Sequence, residues 1–351
     1  MVLESFKLVG DFVRERNASA AVALVGCEGI LYGPVAFGTT GFFPGAPLVN
    51  KDTVFDIASL TKVVGTTTVA LTLLQEGVFH LQTELGELMG DLPKDKAHIT
   101  LEQLLSHTSG LPASAPLYLS TKHPSDAIAQ IVTSPLQYEP GTQVVYSCLG
   151  FILLGFLIES VTGMRLNELV VQRVLSPLEM QNTFYNPPEA IHSRVAYTEW
   201  CLRSKQFLRG RVHDENAQAL GGVSGNAGLF STAQDLGKFS KMILDGGKVN
   251  GHVLLSETTL DLLETCYTEG LNERRTLGWM LHSKGSSGGD FLSKSAIGHT
   301  GFTGTSLWID REKDLFVVLL TNRVHPIRTN EAIFQLRSTF HNAVAAEFRI
   351  N

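Results

Sequence analysis

The 351 residues carry 28 Lys and Arg against 34 Asp and Glu, a formal charge of -6, and 44% are hydrophobic. That length supports a substantial core, in roughly two domains of ~150 residues or one large domain with an insertion. The mild acidity offers no basic face for nucleic acid and suits a small, neutral or modestly charged substrate.

The pattern predicts a first helix over about Glu4 to Glu15. Two strand-like runs, 19–27 and 29–38, are separated by Glu28-Gly29 and suit a hairpin. After a Gly- and Pro-rich loop, 39–52, a helix opens near Ser59 and closes at Gly77. From 78 to 219 the chain reads as mostly helical. There "HITLEQLLSHTSGLP" (98–112) has a capping box at Thr100 and Gln103, with Gly110 and Pro112 as stops. "SCLGFILLGFLIESVTG" (147–163) is apolar on nearly every face and predicts a buried helix. Glycines return at 221–228, and Ser231 with Gln234 forms another capping box. The runs 276–283, 296–310 and 314–322 have β character, and an amphipathic helix over about Asn330 to Phe348 closes the chain. This order predicts an α/β (α+β) fold. An antiparallel β-sheet, flanked by helices, comes from both chain ends (1–77 and 220–351), with an all-helical lobe (78–219) inserted.

Cys27, Cys148, Cys201 and Cys266 lie far apart and read as buried thiols, not a disulfide framework. The eleven histidines include no His-x-His or His-x-x-x-His pair, so no metal site is expected. No signal peptide is visible, and no apolar run reaches the ~18–20 residues that span a bilayer. The chain reads as soluble: cytoplasmic as it stands, periplasmic or secreted if an export signal was removed.

In "FDIASLTKVV" (55–64) Ser59 and Lys62 stand three apart, on one face of the expected helix. A serine needs a base to become a nucleophile, and a lysine serves only where its surroundings shift its pKa. On spacing alone the commoner reading is an N-cap serine beside a solvated lysine. The uncharged "VVGTTTVALTLL" that follows argues against a wet face.

"FDIASLTK" resembles the active-site segment of the serine β-lactamase and penicillin-binding-protein superfamily. The resemblance is to the class C β-lactamase branch, with its esterase and D-amino-peptidase relatives. "LEQLLSHTSGLP", "PGTQVVYSCLGFILLGFLIESVTG", "GGVSGNAGLFSTAQDLGKF" and "GHTGFTGTSLWID" are similar to further landmarks, in the family's order. The resemblance implies a β-lactamase/transpeptidase-like fold and a serine hydrolase that forms a covalent acyl-enzyme. In it Ser59 is the nucleophile, Lys62 its base partner and Tyr146 the proton relay. His299, Thr300 and Gly301 match a Lys-Thr-Gly strand that lines the pocket, with His in place of Lys. The N–H groups of Ser59 and Phe302 form the oxyanion hole. Taken alone, Tyr146 before a buried helix is more often packing, and His299 also suits a satisfied core histidine. His107 resembles a base but falls in a segment that is structural in the family. No metal or organic cofactor is implied, and the partner is a small-molecule ester, amide or peptide.

One position departs from the pattern. The family's Tyr-x-Asn is here Tyr146-Ser147-Cys148, and a thiol is a weak donor beside an amide. An esterase or D-amino-acid peptidase is therefore favoured over an efficient β-lactamase. The alternative is a catalytically weakened member that binds a peptide or assembles through the old pocket, and acyl transfer to an alcohol or amine is a third reading.

Overall fold

The computed structural model describes residues 2–90 and 92–348. Its frame is a six-stranded antiparallel sheet. Edge to edge, the strands are Met280–Leu281, Ile297–Thr300, Ser306–Asp310, Leu315–Thr321, Ala20–Cys27 and Ile30–Gly38. The expected sheet from both chain ends is thus present, and its seam is the pairing of Ala20–Cys27 with Leu315–Thr321, from Ala21↔Thr321 to Cys27↔Leu315.

Both seam strands are buried along their whole length. Alternate residues serve two cores, because successive side chains point to opposite faces. Val22, Leu24, Val318 and Leu320 face the larger core, which contains the helix after Ser59 and much of the segment 78–219. Ala23, Val25, Val317 and Leu319 face a smaller core closed by the terminal helices Phe6–Arg14 and Ala332–Glu347. In that smaller core Phe6 meets Phe340, ring centroids 6.2 Å apart. Covering both faces explains why these runs lack polar alternation. The Glu28-Gly29 turn takes φ of 49° and 73°. That left-handed pair is what a two-residue hairpin requires.

Several boundaries differ from the sequence reading. The helix after residue 231 spans Ala233–Leu244 and is capped by Thr232, whose side chain accepts from Asp235 N. Ser231 is not its cap, because it ends the strand Leu229–Ser231, which pairs with Phe55–Asp56. The predicted strand over 276–283 shrinks to Met280–Leu281, because Gly278 (φ 78°) turns the chain against Thr67 of the helix after Ser59 and its N–H bonds to Leu105 O. The run 296–310 breaks into two strands around a tight loop at 301–305. Of the four cysteines only Cys27 is fully buried, the other three are half-buried, and all are free. Among the described residues no single helix is long and apolar enough to cross a membrane.

Candidate active site

The segment that carries Ser59 is held on both sides. Phe55–Asp56 pairs with Leu229–Ser231, and Ile57 N donates to Leu229 O at 3.0 Å. The chain then turns sharply at Ala58, whose φ of 47° is rare for a residue with a side chain. The buried Asp56 carboxylate clasps this turn. It accepts from Ala58 N at 2.8 Å and from His213 N at 2.7 Å. Burial pushes its carboxyl up, and those two hydrogen bonds oppose the shift. Ser59 follows at the mouth of the helix, half-buried.

The helix opens with a π-type stretch, Lys62–Thr67, before Thr68–Gln75 continues in α geometry. Thr68 Oγ1 donates back to Val63 O at 2.8 Å, so a side chain engages the widened turn. π-turns recur where a helix must aim a functional group. Here Lys62 is 0% exposed. Its Nζ donates to Ser59 Oγ (3.2 Å), to Cys148 Sγ (3.6 Å) and to the main-chain carbonyl of Asn226 (2.9 Å). Burial acts most strongly on Lys62 and works against the ammonium. The negative charge that Cys148 and Tyr146 carry when ionised outweighs it, so the pKa lies above the ordinary lysine value. The three contacts match the three protons of an ammonium.

Tyr146 reaches this point from the segment just before the helix Cys148–Thr162. Ser147 caps that helix, accepting from Gly150 N at 3.1 Å. The segment is pinned to 106–110, since Ser147 N donates to His107 Nδ1 (3.1 Å) and Val145 N to His107 O (3.0 Å). His107 itself sits at φ 61°, which ends the helix at Leu101–Leu105, well short of the predicted Gly110 stop. Its ring packs against Tyr146 at a tilt of 43°, centroids 4.6 Å apart. Burial, then the charges of Arg275 and Lys62, hold the His107 imidazole well below its usual pKa. It is a neutral acceptor that positions the Tyr146 segment.

The Tyr146 hydroxyl is buried without an aligned hydrogen bond, while Lys62 Nζ lies 4.9 Å from its ring. Burial raises its pKa, and the nearby Lys62 and Ser59 oppose that rise. His299 lies across from it, ring centroids 5.7 Å apart. Its Nδ1 donates to Thr300 O at 2.9 Å, which leaves Nε2 as a bare lone pair. Burial, Arg275 and Lys62 hold this imidazole neutral too. The position that carries a lysine in the Lys-Thr-Gly pattern therefore carries no charge here.

After His299 the strand ends at Thr300, and residues 301–305 wrap against the turn before Ser59, with Thr303 Oγ1 donating to Asp56 O and Thr305 Oγ1 to Ile57 O. Gly301 is required there, because a Cβ would stand 2.6 Å from Ile57 O and 2.0 Å from Thr305 Oγ1. Arg337 clamps the loop, donating to Gly301 O (2.7 Å) and Thr305 O (2.9 Å), and Arg323 Nε donates to Phe302 O (2.8 Å). Among the described residues, neither Ser59 N–H nor Phe302 N–H donates to a protein acceptor. Two free N–H groups in so fixed a frame suit an oxyanion.

Ser59, Lys62, Tyr146, Cys148 and His299 thus come together, linked by the contacts above, with Thr300, Gly301 and Phe302 beside them. Three participants were not singled out from sequence. Asp56 is one, although a lone carboxylate in "FDIA" was a signal. The Asn226 carbonyl is another, and a backbone contact has no residue-type signature. Arg275 is the third. It is buried, 5.4 Å from the Tyr146 ring, and paired with Glu273 at 2.8 Å, while its Nε and Nη1 have no partner.

A family model described as Beta-lactamase matches residues 8–338. An N-acetylmuramyl-L-alanine amidase of Bacillus subtilis (strain 168) is 32% identical, over 90% of this chain and 80% of that protein. An Escherichia coli (strain K12) protein, provisionally named a D-alanyl-D-alanine carboxypeptidase, is 30% identical over 83% of this chain and 75% of its own. The solved structure of EstCE1, a hydrolase with promiscuous acyltransferase activity, superposes with a TM-score of 0.77 at 20% identity. It covers 96% of this chain and 97% of that one. At that identity the likeness is one of fold.

Proposed function

The chain belongs to the beta-lactamase family and is a serine hydrolase, and from that premise we propose how its residues divide the work. The observation that carries the reading is Lys62, fully buried yet donating to Ser59 Oγ. Ser59 attacks an ester or amide carbonyl carbon. Its proton leaves through Tyr146, whose phenolate form is stabilised by the Lys62 ammonium. The N–H groups of Ser59 and Phe302 hold the developing oxyanion. Tyr146 returns the proton to the leaving alcohol or amine, and an acyl-Ser59 ester remains. Water then repeats the sequence and frees the acid. Two chain parts, 1–77 with 220–351 and 78–219, contribute to the site: the first supplies Ser59, Lys62 and His299, the second Tyr146 and Cys148.

Small esters and D-amino-acid amides are the favoured substrates. Names of relatives as an amidase and a carboxypeptidase support an amide or peptide substrate. Intact-protein mass spectrometry after a fluorophosphonate or penicillin probe tests the reading. One adduct mapping to Ser59 is expected, and an unlabelled wild-type protein overturns it.

Cys148 limits the amide chemistry. Its thiol is a weak acceptor from Lys62 at 3.6 Å and a weak donor to a substrate, where an asparagine amide would accept from the lysine and donate to a substrate carbonyl. One good hydrogen bond in a dry site is worth ~1–3 kcal/mol. Cys148→Asn is therefore expected to raise kcat/KM for nitrocefin and D-alanyl anilides by roughly 5- to 150-fold. Little change in p-nitrophenyl acetate turnover should accompany it. Equal gains on all three substrates would contradict the assigned role.

A further inference from the structure

A cleft of about 780 Å³ adjoins the residues that hold the proposed oxyanion site. His213 lines its floor and also stacks on the Phe302 ring, centroids 5.6 Å apart. The same His213 is tied through its N–H to Asp56, the clasp of the nucleophile turn. Arg328, another lining residue, lies 5.9 Å from the Phe302 ring. Cleft and site therefore share one frame.

The walls are apolar and unusually open. Leu202 is 85% exposed, Leu119 73% and Ile327 55%, with Tyr118 and Trp200 beside them. Scattered apolar residues on a surface need no explanation, but several gathered around one concavity mark a binding site. Four of the charged lining groups satisfy one another, while the fifth, Arg203, is exposed. Glu199 bonds His213 at 3.0 Å and Arg328 at 2.5 Å, and Arg328 bonds Glu215 at 2.6 Å. A closed network of that kind favours an uncharged occupant.

We propose that this cleft binds the apolar chain or ring of the acyl group that is transferred to Ser59. The substrate would then be an ester or amide of a medium-chain or aromatic acid. The side follows from the proton path. The leaving group must meet Tyr146, whose neighbours are His107, Arg275 and His299. None of these lines the cleft, whereas the lining residue His213 stacks on Phe302, whose N–H is the proposed donor to the acyl oxygen. The proposal rests on the acyl-enzyme reading above.

The test is kcat/KM for p-nitrophenyl acetate, butyrate, hexanoate and octanoate, in wild type and in the double variant Leu202→Ser, Ile327→Ser. Wild type is expected to gain severalfold with each added pair of methylenes. The octanoate-to-acetate ratio should fall at least tenfold in the variant. A flat wild-type series, or an unchanged ratio, overturns the cleft assignment while leaving the acyl-enzyme intact. If no ester is turned over, the acyl-enzyme reading fails instead. Titration of Ser59→Ala protein with octanamide, read by fluorescence with Trp200→Phe as control, then decides the cleft. Saturable quenching that the double variant loses supports it, and no binding sinks it.

Discussion

Ser59→Ala is expected to lower ester turnover by about 10⁴-fold or more. Neither Lys62 nor Tyr146 can take over the bond-forming step. Lys62 spends its three protons on Ser59, Cys148 and the Asn226 carbonyl. Tyr146 is a buried phenol whose pKa is raised by that burial. Residual rate would come from the free N–H groups, which still polarise a bound carbonyl. The methyl of alanine fits the half-buried position, so the thermal midpoint should stay near wild type. Retention of more than a few per cent of wild-type kcat/KM would remove Ser59 from the mechanism. A candidate to inherit the role would be Cys148, the other nucleophile in contact with Lys62.

Lys62→Met should cost about 10²–10⁴-fold in kcat/KM and also change its pH dependence. Methionine fills the space of the buried lysine stem. It removes the cation that opposes the burial-driven rise of the Tyr146 pKa. In wild type the phenolate fraction grows with pH, so turnover climbs toward the alkaline side. Without the ammonium, that climb moves to higher pH. A rate profile carried well past the ordinary phenol pKa of about 10 should show the shift directly. The fold should survive, since the partners lost are neutral: Ser59 Oγ and Cys148 Sγ are only part-buried, and the buried Asn226 carbonyl is the costly acceptor left without its donor, at ~1–3 kcal/mol. A variant with unchanged profile shape and only a lower rate would mean that Lys62 orders Ser59 without tuning Tyr146.

What the sequence made legible follows from what leaves a periodic or local mark. The seam strands showed as apolar runs, and Glu28-Gly29 as a turn, because both depend on neighbours in sequence. Ser59 and Lys62 were visible as an i, i+3 pair, although spacing alone did not distinguish a base from a surface lysine. Burial decides that, and it comes from tertiary contacts with Phe151 and the Asn226 loop. The capping error at Ser231 has the same origin. A strand pairing claimed a residue whose side chain would otherwise have capped a helix. The charge state of His299 was equally out of reach. It depends on Arg275 and Lys62, which lie at distant points of the chain.

The shortest contact of Lys62 is to a peptide carbonyl, that of Asn226. Any residue at position 226 presents the same oxygen, provided the loop keeps its path. Substitutions can therefore accumulate along this rim of the pocket, reshaping what it admits, without unseating the lysine. Had the anchor been a carboxylate, one base change in the gene would suffice to lose it. Mutational tolerance of that sort lets substrate range drift while the bond-breaking apparatus stays fixed. The loop backbone, which Gly225 brings so close to Phe151 O that a Cβ would lie 2.0 Å away, is where that tolerance ends.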